Sequence, residues 1–238
     1  MIVIKKLKYL FFSFFSLLFV TTIHAQKLNS IEINFNPLFQ KSSLVKDSNY
    51  IIEKDSFQIS QCKFYISGVE LKNGNKTVYK EKNSFHLINI FDNALCKFNL
   101  KIKPELSFNT IQFNLGIDSI TNSKGISTGD LDPTKGMYWA WHSGYINFRL
   151  EGKSNLCNLK NRNFQFHLGG FRNGFYNMQT IAIKTKKSFR IIIDVDFFNF
   201  LNSIDLRKVN HIMTPSNLAV ELAKKAITIF SISSKDVQ

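Results

Sequence analysis

Both tryptophans of the chain, Trp139 and Trp141, and one of its five histidines, His142, fall in residues 137–145 (MYWAWHSGY). An indole offers a broad apolar face and a single N–H donor, whereas a neutral imidazole offers one donor and one lone pair for a proton or a metal. In an extended strand Trp139 and Trp141 share a face with Met137, and His142 points the other way. Such a face is either a core aromatic patch closed by Gly144 or a platform on which a ligand stacks. A second group lies in residues 166–170 (FHLGG), where His167 ends a strand and two glycines permit a tight turn and close backbone approach. His142 and His167 could meet across neighbouring strands. Imidazole suits copper, zinc or iron, and copper(I) also accepts thioether sulfur, which makes Met137, Met178 and Met213 candidate weak ligands. His211 and Met213 form a His-x-Met pair just before Pro215. His86, inside an alternating run, reads as structural.

Other chemistry finds little support. There is no P-loop, no H-E-x-x-H, no G-x-G-x-x-G and no nucleophile elbow. Asp130 and Asp132 (GDLDP) could offer oxygens to a hard cation, but a turn before Pro133 explains them more simply.

The elements that must carry these residues are mostly strands. Period-two alternation marks residues 31–35, 57–67, 84–90, 108–115, 145–151, 163–168, 179–183 and 189–195. Asn73-Gly74 signals a hairpin into residues 77–79. Helix is scarce: a short piece over 196–202, which Asp196 can cap, and a clearer helix after Pro215. There Ser216 is the N-cap, and Leu218, Leu222, Ala226 and Ile229 recur at helical spacing. Many short strands with a terminal helix predict a mainly β fold, an antiparallel sandwich or barrel-like domain with a short C-terminal helix. The 24 phenylalanines suit its core. The polar loop 120–136 delivers the chain into the tryptophan segment, and functional residues often sit at such junctions.

The first residues set the compartment. Lys5, Lys6 and Lys8 precede an apolar run over 9–20 and a small residue, Ala25, which reads as a signal peptide over residues 1–25. One exported domain over 26–238 follows, periplasmic or secreted, with no stable membrane insertion after cleavage. The basic balance, Lys+Arg 31 against Asp+Glu 17, would point to nucleic acid inside a cell. Export and the scatter of the lysines make it a solvated surface instead, and no nucleic-acid partner is expected. Three cysteines, Cys62, Cys96 and Cys157, cannot all pair with one another; one bridge with a spare thiol, or three buried thiols, both remain open.

Residues 59–71 (ISQCKFYISGVEL), 132–145 (DPTKGMYWAWHSGY), 164–170 (FQFHLGG) and 211–230 (HIMTPSNLAVELAKKAITIF), in that order, resemble the MbnP-like family. The resemblance covers nearly all of the mature chain, with MYWAW…GY and FHLGG as its specific parts. It implies an extracytoplasmic copper-binding β protein rather than an enzyme, related to proteins associated with methanobactin operons and to secreted copper-scavenging proteins of methane oxidisers. It further implies that a tryptophan is oxidised to kynurenine by a partner di-haem enzyme of the MauG type, and that the product helps histidines bind copper(I). Trp139 and Trp141 match the family's aromatic motif and His167 its FHLGG histidine. Family members often carry Asn or Gln where this chain has His142. The expected site is therefore His167 with Trp139 or Trp141, extended by His142 or by His211 and Met213. The rival expectation is a metal-free envelope module that uses the aromatic patch for a glycan, peptide or protein partner.

Overall fold

The computed structural model describes residues 29–158 and 161–234, so the leader expected over 1–25 lies outside the described residues. Two sheets contain fifteen strands among the described residues. The smaller holds β1 (Asn29–Phe39), β2 (Ser42–Ser43), β7 (Lys97–Ile102), β13 (Arg190–Asp196) and β15 (Phe230–Ile232). The larger holds β3 (Tyr50–Ile52), β4 (Asp55–Asn73), β5 (Lys76–Lys80), β6 (Phe85–Asn89), β8 (Thr110–Leu115), β9 (Tyr138–Trp139), β10 (Gly144–Ser154), β11 (Asn163–Gly169), β12 (Gln179–Lys184) and β14 (His211–Ile212). Its main path runs β12-β8-β4-β10-β11-β14, and the long β4 also pairs with β3, β5 and β6. Pairing is antiparallel except for β1 with β13 and β11 with β14, where the chain returns from the far side of the sandwich.

Alternation makes this a sandwich. One face of each sheet is apolar and the two faces close on a common core centred on Phe35, whose ring meets Phe64, Phe98, Phe113 and Phe230 at centroid separations of 5.5–6.3 Å. Cys62 and Cys157 are buried there, and all three cysteines are free thiols. Among the described residues the α-helices are α1 (Ser119–Ser123), α2 (Phe198–Asn202) and α3 (Asn217–Ala226). The Ser216 hydroxyl caps α3 by accepting from Ala219 N, as its sequence signal predicts, and Asp196 accepts from Phe198 N at the start of α2. No helix among the described residues is long and apolar enough to cross a membrane.

The outer face of the larger sheet is not bare. Residues 117–146 fold over it and enclose a second, smaller core of Tyr65, Leu87, Ile117, Leu131, Met137, Trp139, Tyr145 and Ile146. A register shift between Ile146 and Phe148 makes this possible: Ile146 pairs with Gly169 and Phe148 with Leu168, leaving Asn147 as an extra residue. Residues before the bulge join the outer core, while Phe148 and Leu150 join the inner one.

Candidate functional site

The loop that brings in the tryptophans is fastened by buried polar groups. Asn122, in α1, accepts from Tyr145 N and donates to Ile117 O, and Tyr145 donates its hydroxyl to Leu131 O. Asp132 caps the turn Pro133–Lys135 by accepting from Thr134 N, and Asp130 accepts from Leu87 N and pairs with Lys135, so both aspartates are spent on loop structure. From there β9 pairs with β10, with Trp139 opposite Gly144.

The strand ends at Trp139. Residues 140–143 form a turn, with Ser143 at φ 50°, so the expectation of two tryptophans on one face is corrected. Trp139 is 1% exposed inside the outer core, and Trp141, on the turn, is 67% exposed with its ring 6.5 Å from that of Trp139. The half-buried His142 is not turned away either. Its ring meets Trp139 edge-on at 6.3 Å. The indole of Trp139 lies against Gly169, two residues beyond His167 on the same outward face of β11. Its Nε1–H is buried with no hydrogen-bond partner.

His167 is 5% exposed, and its two nitrogens fare differently. Nε2 lies 2.7 Å from Glu151 Oε1, while Nδ1 is buried without a partner. Arg149, directly across from His167, binds the same carboxylate oxygen through Nε at 2.7 Å and Nη2 at 2.7 Å. The hydrogen bond from His167 chiefly, with Arg149 adding to it, holds the Glu151 carboxyl down at about 2 despite partial burial. Such an ionised carboxylate only accepts, so Nε2 carries a proton, and the neutral imidazole in this arrangement would have its lone pair on Nδ1.

The remaining sequence candidates are spread out. His211 pairs with Gln165 across the parallel β11–β14 junction, which puts it on the outward face that His167 shares, one row away and exposed. Met213 follows, half-buried, just past the end of β14. Met137 packs inside the outer core, and Met178 receives the Tyr176 hydroxyl at 3.7 Å. His86 is bonded to Glu81 at 2.8 Å and stacked on Phe98, a structural histidine as its strand position predicts. Residues 125–129 do spell G-x-S-x-G (GISTG), a match that the motif reading missed. They follow α1 and lead into a 3-10 turn, so no strand delivers Ser127 to an elbow. Glu151 and Arg149, which the fold gathers beside His167, carry no signal in the sequence beyond their place in an alternating strand. Among the described residues no three His, Cys, Asp or Glu side chains gather as a metal cage.

A family model described as MbnP matches residues 28–214. Among solved structures, MbnP from Methylosinus trichosporium superposes with a TM-score of 0.56 at 13% identity, covering 87% of this chain and 99% of that one. At that identity the likeness establishes the fold. No curated protein matches the chain.

Proposed function

The chain belongs to the MbnP family, and from that premise we propose that it is an exported copper(I)-binding protein whose site is built on His167 and Trp139. One observation carries the reading: two buried ring nitrogens without partners, Trp139 Nε1 and His167 Nδ1, belong to side chains seated along one face of the end of β11. Leaving a buried polar atom unpaired costs about 1–3 kcal/mol, so two on side chains that share one sheet face support a ligand there.

The donor set fits copper(I) on one condition. His167 supplies a soft-compatible imidazole nitrogen, but an indole N–H is a donor only and ligates nothing. Oxidative cleavage of the Trp139 indole at C2–C3 to give kynurenine, which a partner di-haem enzyme of the MauG type would carry out with dioxygen or peroxide as oxidant, followed by hydrolytic loss of C2 as formate, would yield an aryl amine and a carbonyl where Trp139 has neither. His142, already against the Trp139 ring, is the nearest candidate for a further ligand. His211 and Met213 lie on the side of His167 away from Trp139 and are the weaker choice. A cage for zinc or calcium would need several hard or anionic ligands together, and the described residues offer none.

Native secreted protein is expected to show the small mass increase of kynurenine, mapped to the peptide containing Trp139, and to take up about one copper(I) against a chromogenic chelator. His167→Ala should weaken that uptake; unchanged affinity would remove His167 from the site. The exposure of Trp141 favours a second reading, a metal-free envelope module that stacks on a glycan, peptide or protein partner. In that case Trp141→Ala, and not His167→Ala, abolishes binding.

A further inference from the structure

The interaction of Glu151 with His167 and Arg149 reaches further than the ligands themselves. Arg149 has a third contact: its Nη1 donates to Gly136 O at 2.9 Å. Lys63, directly opposite Arg149 on β4, donates Nζ to Lys135 O at 3.0 Å. Two cations on neighbouring strands thus grip successive carbonyls at the end of the Pro133–Lys135 turn, just before the chain rises through Met137 to Trp139. Gly136 takes a left-handed φ of 73° there, and a Cβ would lie 3.4 Å from Arg149 Nη1. The same guanidinium therefore touches both the loop that carries Trp139 and the carboxylate that holds His167.

From this geometry we propose that Arg149 and Glu151 are the positioning residues of the site: Glu151 fixes His167 as the Nε2–H tautomer with its buried Nδ1 lone pair left free, and Arg149 locks Glu151 and the Trp139 loop into one frame. The proposal rests on the copper reading for what Nδ1 receives, but not for the tautomer itself. A pair kept only for stability would be an odd choice, because partly buried ion pairs return little net stability. Nor would stability explain why one imidazole nitrogen is saturated and the other left bare in a buried setting. Holding a histidine through its far nitrogen by a carboxylate is how metal-binding imidazoles are oriented and made more basic.

The test separates tautomer from metal. In metal-free mature protein labelled with nitrogen-15 at histidine, long-range nitrogen–proton correlations are expected to show His167 as the Nε2–H form, its signals assigned by their loss in His167→Gln. Glu151→Gln keeps an acceptor and should retain that form. Glu151→Ala should produce a mixture of tautomers, and Glu151→Asp, which keeps the charge but not the reach, does the same and serves if the alanine variant does not fold. Arg149→Met should disturb the Trp139 emission as well as weaken the tautomer preference. Copper(I) affinity should fall about 10–100-fold in Glu151→Ala and less in Glu151→Gln. An Nδ1–H form in the wild-type protein, or a tautomer unmoved by Glu151→Ala and Glu151→Asp, overturns the proposal. Wild-type protein with the Nε2–H form but no copper uptake overturns the copper reading and leaves the positioning role supported.

Discussion

The indole of Trp139 rests directly on the backbone of Gly169: a Cβ at that position would lie 2.8 Å from Cζ3 and 2.9 Å from Cη2 of the ring, and 2.6 Å from Tyr145 O. Neither obstacle is the free end of a flexible chain. The ring is enclosed by the outer core, and Tyr145 is held in the pairing with β9. Gly169→Ala is therefore expected to push Trp139 off its seat and destabilise the fold by about 1–3 kcal/mol. Urea unfolding monitored by tryptophan emission measures both effects; an unshifted midpoint would mean that the loop yields without strain.

The two tryptophans should behave as opposites. Trp139→Ala removes a fully buried ring and should cost about 3–5 kcal/mol, whereas Trp141→Ala, at an exposed turn position, should stay within about 0.5 kcal/mol of wild type. Trp141→Phe leaves the buried indole alone, with blue-shifted emission that acrylamide scarcely quenches. Trp139→Phe leaves an emitter that acrylamide quenches readily. Equal quenching of the two variants would contradict the split that the turn at residues 140–143 imposes.

That split shows where sequence reasoning stops. Alternation located most strands because a half-buried strand writes its period locally, and β7 carried the same signal unread in Phe98, Leu100 and Ile102. The helix after Pro215 was legible because Ser216 caps it through a local hydrogen bond. Trp139 and Trp141 were assigned to one face on the assumption of a continuous strand, and nothing in WAWHS announces a turn except Ser143, which tolerates φ 50° without being a usual turn glycine. The grouping of Glu151, Arg149 and His167 depends on the register between β10 and β11, which no local pattern contains. His167 was found through its family motif, while its partners were not.

Asn122 governs whether the tryptophan loop stays closed. It is 3% exposed, accepts from Tyr145 N at 2.9 Å and donates to Ile117 O at 3.0 Å and Asp118 O at 3.1 Å. Asn122→Ala strands the Tyr145 N–H and the Ile117 carbonyl in the outer core, at about 1–3 kcal/mol for each group left unpaired. Asn122→Asp keeps the acceptor and loses the donor, so it should fall between. Amide hydrogen exchange at Tyr145 is the direct readout: protection should drop in the alanine variant well below that of amides in β4. Equal protection would show that the loop is held by its apolar contacts alone.

The same outer core should set the alkaline limit of the fold through Tyr65. Its hydroxyl donates to Asp130 O at 3.1 Å, and burial first, then Tyr145 and the carboxylates Asp130 and Asp132, push its pKa well above the ordinary phenol value. An unfolded tyrosine ionises near pH 10, about its model-peptide value. Above that pH the unfolded chain has lost a proton that the folded chain still holds, so stability from this group is complete below about pH 10 and declines as pH rises further. The tyrosinate absorbance of Tyr65 should therefore appear together with unfolding rather than before it. Tyr65→Phe, which leaves nothing to ionise, should flatten the alkaline limb of the stability curve while lowering its plateau, because Asp130 O loses its donor. A Tyr65 that ionises with the native circular dichroism intact would show that the outer core admits water at this point.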